Sequence, residues 1–462
     1  MTMKDPYLRS WRDYQERLRR GSRMARLARR ILVPALAAGC LFLVWTFAFR
    51  ASARLSRYFY PAPEYAAVQA SSPGGASREW EGSDVRDLLK NLPAKGVRLQ
   101  DRFTLNRDGT PVVVSSFLVP GFQAYILNLL RRSRTEAAAV VVLSPASGKI
   151  LAMGNYEKDG RRDNLCTRAK FPAASLFKIV SAAAAMETAG YTPESQVSFV
   201  GRRHTLYKRQ LTKKRRRWAT KTTFTTAFAS SINPVFGKLG IYDLGRDGLS
   251  AYAGKFFFNR PIPFDLPLEK SVVHLPDGDY GLAEVASGFN RKTLISPLHA
   301  ALLAAVAANK GIMMRPRLVE SISDTGGGFL YQSRPRPLGR CITAATARRL
   351  KTLMRETVRR GTCRKAFRSL RRRKPFRNIE LGAKTGTIND ASDRFKYEWF
   401  AGYALPRDAS TGICVAVLGV HGEKLGIPSS ELGREIIRHF MGRLREYARK
   451  AVPSSNKGTP RS

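Results

Sequence analysis

The sequence predicts a mixed chain of helices and strands set behind one membrane-crossing segment. Three observations predict it. Short apolar runs of strand length (137–143, 150–153 and 413–420) alternate with longer runs of helical character. One stretch, 31–49, holds about 19 residues without a charge, close to the ~20 that cross a bilayer. Three polar strings, Ser175-Leu176-Phe177-Lys178, Ser231-Ile232-Asn233 and Lys384-Thr385-Gly386-Thr387, lie at or within runs of regular structure.

From the N-terminus, Arg17, Arg19, Arg20, Arg23, Arg26, Arg29 and Arg30 crowd one side of the apolar stretch, while Arg50, Arg54 and Arg57 follow it. Trp45 stands near its far end, as interfacial aromatics do. The positive-inside bias makes 1–30 a cytoplasmic basic segment, 31–49 the anchor, and everything after it extracytoplasmic. Ala51-Ser52-Ala53 offers a competing reading as a leader-peptidase site, but the long apolar run and long basic leader favour a retained anchor. Residues 50–135 read as a stalk and small pedestal, with linkers at Pro61-Ala62-Pro63 and Ser71-Ser72-Pro73-Gly74-Gly75 and helical runs at 85–92 and 120–130. A helix over 429–447 aligns Leu432, Ile436, Phe440, Leu444 and Tyr447 on one stripe suited to covering a sheet face, and the tail at 449–462 is expected to be disordered.

The polar strings carry the chemistry. Phe171-Pro172 precedes a helical run from Ala173, Pro being tolerated in a first turn, so Ser175 opens a helix and Lys178 lies one turn on, on the same face. A desolvated Lys178 beside a second cation, Lys384, has a lowered pKa and a neutral amine able to take the serine proton. Ser231-Ile232-Asn233 follows a helix from Phe224 that Pro234 is expected to end. Ser230 is adjacent, but only Ser231 has Asn at the required offset. In the strand-like run around Lys384-Thr385-Gly386-Thr387, Gly386 lets a substrate backbone approach and add to the strand.

Taken in order, these strings resemble the S-x-x-K, S-x-N and K-T-G motifs of the penicillin-recognising serine acyl-transferases, which include penicillin-binding D,D-transpeptidases and serine β-lactamases. The resemblance extends over 136–448: Trp399-Phe400-Ala401-Gly402-Tyr403-Ala404, the 413–420 run, the segments 294–300, 308–311, 315–317 and 353–362, and the 137–153 hairpin all have counterparts. Cys363 stands where such proteins usually carry glycine. The fold this implies is α/β, a five-stranded antiparallel sheet flanked by helices with Ser175 on a buried central helix. The roles it implies are Ser175 as nucleophile, Lys178 as base and Ser231 as proton relay. Asn233, Lys384, Thr385, Gly386 and Thr387 would bind substrate, and the backbone N–H groups of Ser175 and Thr387 would form the oxyanion hole. It implies no cofactor and no metal. The expected activity is a membrane-anchored D,D-transpeptidase of the bacterial cytoplasmic (inner) membrane, its catalytic domain periplasmic. Its partners would be D-Ala-D-Ala stem peptides, β-lactams, membrane lipid and a separate glycosyltransferase. A carboxypeptidase, a β-lactamase and a non-turnover β-lactam sensor or scaffold remain open on the same motifs. The larger pedestal motifs of related cell-wall enzymes are missing, so the stage of wall growth is not assigned.

The five cysteines show no metal-like spacing; Cys40 falls in the anchor, Cys414 reads as a core thiol, and a bridge among Cys166, Cys341 and Cys363 is left open. The five histidines are isolated. A formal net charge of +45, with runs at 213–217 and 371–374, would fit nucleic acid, but the topology faces these runs away from it. Anionic headgroups, an acidic wall polymer or plain solvent are the remaining readings.

Overall fold

The computed structural model describes residues 80–444, apart from 91, 93–98, 161–162, 214–216 and 408–411. The expected cytoplasmic segment, the anchor at 31–49, both linkers and the tail lie outside the described residues. Among the described residues no helix is long and apolar enough to cross a membrane.

The centre is a five-stranded sheet built from β1 (Ala137–Leu143), β2 (Ile150–Glu157), β3 (Ile379–Asn389), β4 (Lys396–Pro406) and β5 (Ile413–His421). Its spatial order is β3-β4-β5-β1-β2, with every neighbouring pair antiparallel, so the expected sheet is present. Side chains alternate between two cores. Val140, Val142, Val415 and Val417 face one, while Val141, Leu143, Ala416 and Leu418 face the other. Both faces are covered, which is why these strands read as unbroken apolar runs and not as polar–apolar alternation.

The helices around the sheet and site are α1 (Lys178–Thr188), α2 (Phe224–Ala229), α3 (Asn233–Leu239), α4 (Asp279–Ser287), α5 (Pro297–Ala308), α6 (Ala344–Arg359), α7 (Arg364–Arg372) and α8 (Ser429–Gly442). A helix that is apolar on all sides belongs in a core. α5 is one: it is buried almost throughout and packs on β1, β4 and β5, and Ser296 caps its first turn through the His299 N–H. On the opposite face α8 lies across β4 and β5, with Leu432, Ile436 and Phe440 buried, while the helix Pro120–Arg131 covers β2. α8 runs to Gly442, the Arg443 N–H still donates to the His439 and Phe440 carbonyls, and Leu444 is again helical, so the expected end at 447 lies outside the described residues. Leu444 still packs half-buried against the core, and Tyr447 lies outside the described residues.

The hairpin of Arg102–Arg107 and Thr110–Ser116 pairs with Val319–Asp324, which in turn pairs with Phe329–Gln332. Residues read as pedestal thus share a sheet with residues far along the chain. Cys166, Cys341, Cys363 and Cys414 are all free and buried, so none of the bridges left open by the sequence is formed. Burial pushes the thiols of Cys166, Cys341 and Cys363 up to about 12, and Cys414 lies in β5 as a core thiol.

His299 is buried in α5 with Nε2 at 2.7 Å from the Phe256 carbonyl, and burial lowers its pKa from 6.5 to about 4. The unfolded chain therefore binds one proton more than the folded chain between these values, and stability falls as pH drops through this window. Denaturant titrations between pH 7 and 4 are expected to show that one-proton slope in the wild type and a shallower one in His299→Gln.

Candidate active site

The nucleophile candidate sits on a tight backbone turn. Phe171–Pro172 pairs as a two-residue strand with Leu294–Ile295, so Pro172 ends a strand; it does not occupy a first helical turn as expected. Ala174 then takes φ +48, Ala174–Phe177 forms a single 3-10 turn carrying Ser175, and α1 begins only at Lys178. The left-handed region costs a non-glycine residue about 1–2 kcal/mol, so the surrounding packing must impose it.

Lys178 is fully buried. Its Nζ lies 2.9 Å from Ser175 Oγ and 2.7 Å from Asn233 Oδ1, and also meets the Ser287 carbonyl at the end of α4. Asn233 Oδ1 and the Ser287 carbonyl accept only, whereas the serine hydroxyl can also donate. A neutral amine, with two N–H bonds and one lone pair, therefore fits this cage with its lone pair on the serine proton. Loss of hydration, and then the charge of Lys384, push the Lys178 pKa well below the usual lysine value.

The second string is held by backbone geometry. α2 ends at Ala229, Ser231 takes φ +55, and Pro234 lies in the first turn of α3. The proline thus begins the next helix, where its missing N–H costs nothing, instead of stopping the previous one. The Asn233 N–H and Nδ2 donate to the carbonyls of Arg203 (2.7 Å) and His204 (3.0 Å).

β3 brings the third string alongside. Lys384 is fully buried, its Nζ donating to Ser231 Oγ (3.1 Å) and the Thr385 carbonyl (2.7 Å), and burial lowers its pKa to about 7. A Cβ at Gly386 would stand 3.2 Å from the Ser175 nitrogen and 3.1 Å from Ala174 Cβ, so glycine permits the strand to pass the nucleophile this closely. Thr385 Oγ1 is 2.6 Å from Thr362 Oγ1, and Thr387 is exposed beyond it on the sheet's edge strand. Ser175, Lys178 and Asn233 therefore form one hydrogen-bonded set and Ser231 and Lys384 another beside it, with Thr385, Gly386 and Thr387 on the adjoining edge.

Several neighbours were not legible in the sequence. Ser287 contributes only a backbone carbonyl. Gly288 caps α4 at φ +66, where a Cβ would overlap the Ala174 carbonyl oxygen at 1.9 Å. A glycine closing a helical run is the one signal that pointed to it. His204, read as an isolated surface or core histidine, hydrogen-bonds the Ser231 carbonyl through its ring; burial and the charge of Lys178 lower its pKa. Cys363 has φ −90, a conformation open to any residue, so its position needs no glycine.

The family model for the penicillin binding protein transpeptidase domain matches residues 138–438. The chain belongs to this family. It is 27% identical to the peptidoglycan D,D-transpeptidase PbpA of Mycolicibacterium smegmatis, over 70% of each protein. It is 28% identical to PbpA of Mycobacterium tuberculosis, over 74% of this chain and 75% of that one. The structure resembles the imipenem acyl-enzyme of M. tuberculosis penicillin-binding protein A (TM-score 0.58, 23% identity, 70% and 78% of the chains). It also resembles the D,D-transpeptidase domain of a peptidoglycan glycosyltransferase from Eggerthella lenta (0.59, 23%, 72% and 83%).

Two outcomes follow for this transpeptidase domain. Gly288→Ala forces a Cβ into the Ala174 carbonyl at a left-handed position; it should cost about 2 kcal/mol or more in denaturant unfolding and abolish penicillin labelling. His204→Ala should slow penicillin acylation about tenfold by loosening Ser231, while His204→Gln, which keeps a side-chain N–H, should recover much of the rate at unchanged melting temperature.

Proposed function

We propose that this protein is a membrane-anchored D,D-transpeptidase that cross-links peptidoglycan stem peptides through a Ser175 acyl-enzyme and is acylated by β-lactams. The observation that carries the proposal is the buried Lys178 amine, 2.9 Å from Ser175 Oγ and held by acceptors that leave its lone pair for the serine proton. Relatives bearing the name peptidoglycan D,D-transpeptidase support the substrate class, and a structural neighbour captured as an imipenem acyl-enzyme supports the covalent route.

In this scheme Ser175 Oγ attacks the penultimate D-Ala carbonyl as Lys178 takes its proton. The N–H groups of Ser175 and Thr387 face the developing oxyanion, a contact worth most when the donors are already fixed. Ser231, bonded to Lys384, passes a proton to the departing D-Ala amine. Asn233 holds the donor peptide's amide, the edge of β3 pairs with its backbone past Gly386, and Lys384, Thr385 and Thr387 take its terminal carboxylate. A second stem-peptide amine then resolves the ester. Only side chains and backbone groups of this chain are used.

The apolar run 31–49 behind an arginine-rich leader supports a single-pass anchor in the cytoplasmic membrane, with 136–448 as the extracytoplasmic transpeptidase domain. A separate glycosyltransferase is the proposed source of the glycan strands.

Fluorescent-penicillin labelling of membranes tests this reading. Wild type should give a stable covalent band and Ser175→Ala none; Lys178→Ala should acylate about 10²–10⁴-fold more slowly. The wild-type acylation rate should fall on acidification, because a protonated Lys178 has no lone pair for the serine, and should level off above the depressed Lys178 pKa. Folded wild-type protein that neither labels nor turns over a β-lactam would overturn the proposal.

A further inference from the structure

We propose that the described residues 202–213 with 217–218 form a docking platform for the second substrate strand, an anionic glycopeptide whose amine resolves the acyl-enzyme. The inference rests on the transpeptidase reading and names where its acceptor binds.

The composition of this segment is one-sided. From 195 to 242 the sequence has no Asp or Glu, and Arg202, Arg203, Lys208, Arg209, Lys213 and Arg217 are all exposed. Large aromatic side chains are exposed among them: Tyr207 at 53%, Trp218 at 63% and, from the neighbouring helical turn, Tyr242 at 41%. The Arg209 guanidinium stands 5.4 Å from the Tyr207 ring centre, and Lys213 Nζ 5.5 Å from that of Tyr242.

Local packing fixes this face outward. Leu206 and Leu211 are buried against Ala283 of α4, and Tyr280 Oη donates to the Leu206 carbonyl (2.7 Å). Gln210, 4% exposed, is the internal tie: its Oε1 accepts from the Tyr207 N–H (2.9 Å) and Thr205 Oγ1 (3.1 Å), and its Nε2 donates to the carbonyls of Val200 (2.7 Å) and Arg202 (3.2 Å). With the leucines and glutamine turned in, the side chains of Tyr207, Lys208 and Arg209 are exposed.

The platform adjoins the nucleophile. The carbonyls of Arg203 and His204 hold Asn233, whose Oδ1 holds Lys178, which in turn holds Ser175. In the proposed scheme the donor occupies the β3 edge, so the acceptor must reach the ester from another side, and this segment borders the cleft at Ser231 and Asn233. Its chemistry matches such a partner: cations pair with stem-peptide carboxylates, and exposed aromatic faces accept the apolar faces of sugar rings. The acceptor amine nitrogen bonds to the acyl carbon, the carbon–Oγ bond to Ser175 breaks, and one amine proton returns to Oγ.

The test compares full-length wild type with Arg209→Glu/Lys213→Glu, its milder form Arg209→Gln/Lys213→Gln, and Trp218→Ala. Penicillin acylation and exchange of a free D-amino acid, which need no platform, should stay within about twofold. Cross-linking of polymerised glycan strands bearing intact stem peptides should fall about tenfold or more in the charge-reversed variant and less in the neutral one, and should weaken with salt in wild type. Unchanged cross-linking overturns the platform, as does equal loss of acylation and cross-linking in folded variants. Loss of binding to anionic vesicles with cross-linking intact assigns the face to the membrane and also overturns it. A wild type that is not acylated by penicillin fails the underlying reading instead, so the two failures are distinguishable.

Discussion

Two lysines buried in one cleft are the constraint around which the site is built. Placing an ammonium in a low-dielectric interior is costly, and placing a second beside it is costlier, so the group gives up its proton or is surrounded by acceptors. Both happen here. Lys178 meets the Ser287 carbonyl, Asn233 Oδ1 and Ser175 Oγ, and Lys384 meets Ser231 Oγ and the Thr385 carbonyl. These acceptors come from the end of α4, the loop into α3, the turn before α1, and β3. Each element must therefore arrive at the same point, and moving any one leaves a buried amine short of a partner.

Holding that convergence strains the backbone at the points of contact. Ala174 and Ser231 occupy left-handed conformations without being glycine, and Gly288 fits against Ala174 only because it has no Cβ. Such conformations persist where the surroundings over-determine them. The surroundings here are β3, β4 and α4 packed on the turn at Ala174–Phe177, and the carbonyls of Arg203 and His204 that hold Asn233. Ser175 is consequently presented on a fixed turn before any substrate arrives, which is where acyl transfer gains from preorganised groups.

How much of this could be read in advance depended on whether the information resides in residue type. The central strands were legible because sheets covered on both faces need unbroken apolar runs, and the polar strings because nucleophile, base and carboxylate-binding groups are particular side chains. Proline misled twice for a common reason. It fits a strand end, a first helical turn or a helix stop equally well by its fixed φ, and tertiary pairing decided that Pro172 ends a strand and Pro234 begins a helix. Partners that act through backbone, such as the Ser287 and His204 carbonyls, leave no mark in sequence at all. The pairing of 110–116 with 319–324 is equally silent, since neither strand's pattern names its mate.

The depressed lysine pKa values and the proposed substrate's charge belong to one electrostatic balance. Loss of hydration lowers the pKa of both Lys178 and Lys384, and on Lys178 the charge of Lys384 adds to it. In the proposed reaction the donor arrives with a carboxylate. Bound near Lys384, that negative charge offsets the repulsion between the lysines and raises the proton affinity of Lys178 at the moment the serine must lose its proton. Burial thus favours the neutral form of the base in the free enzyme, and the substrate's carboxylate strengthens that base. A β-lactam also carries a carboxylate, so it meets the same response, whereas a neutral amide offers the site neither the anchor nor the shift.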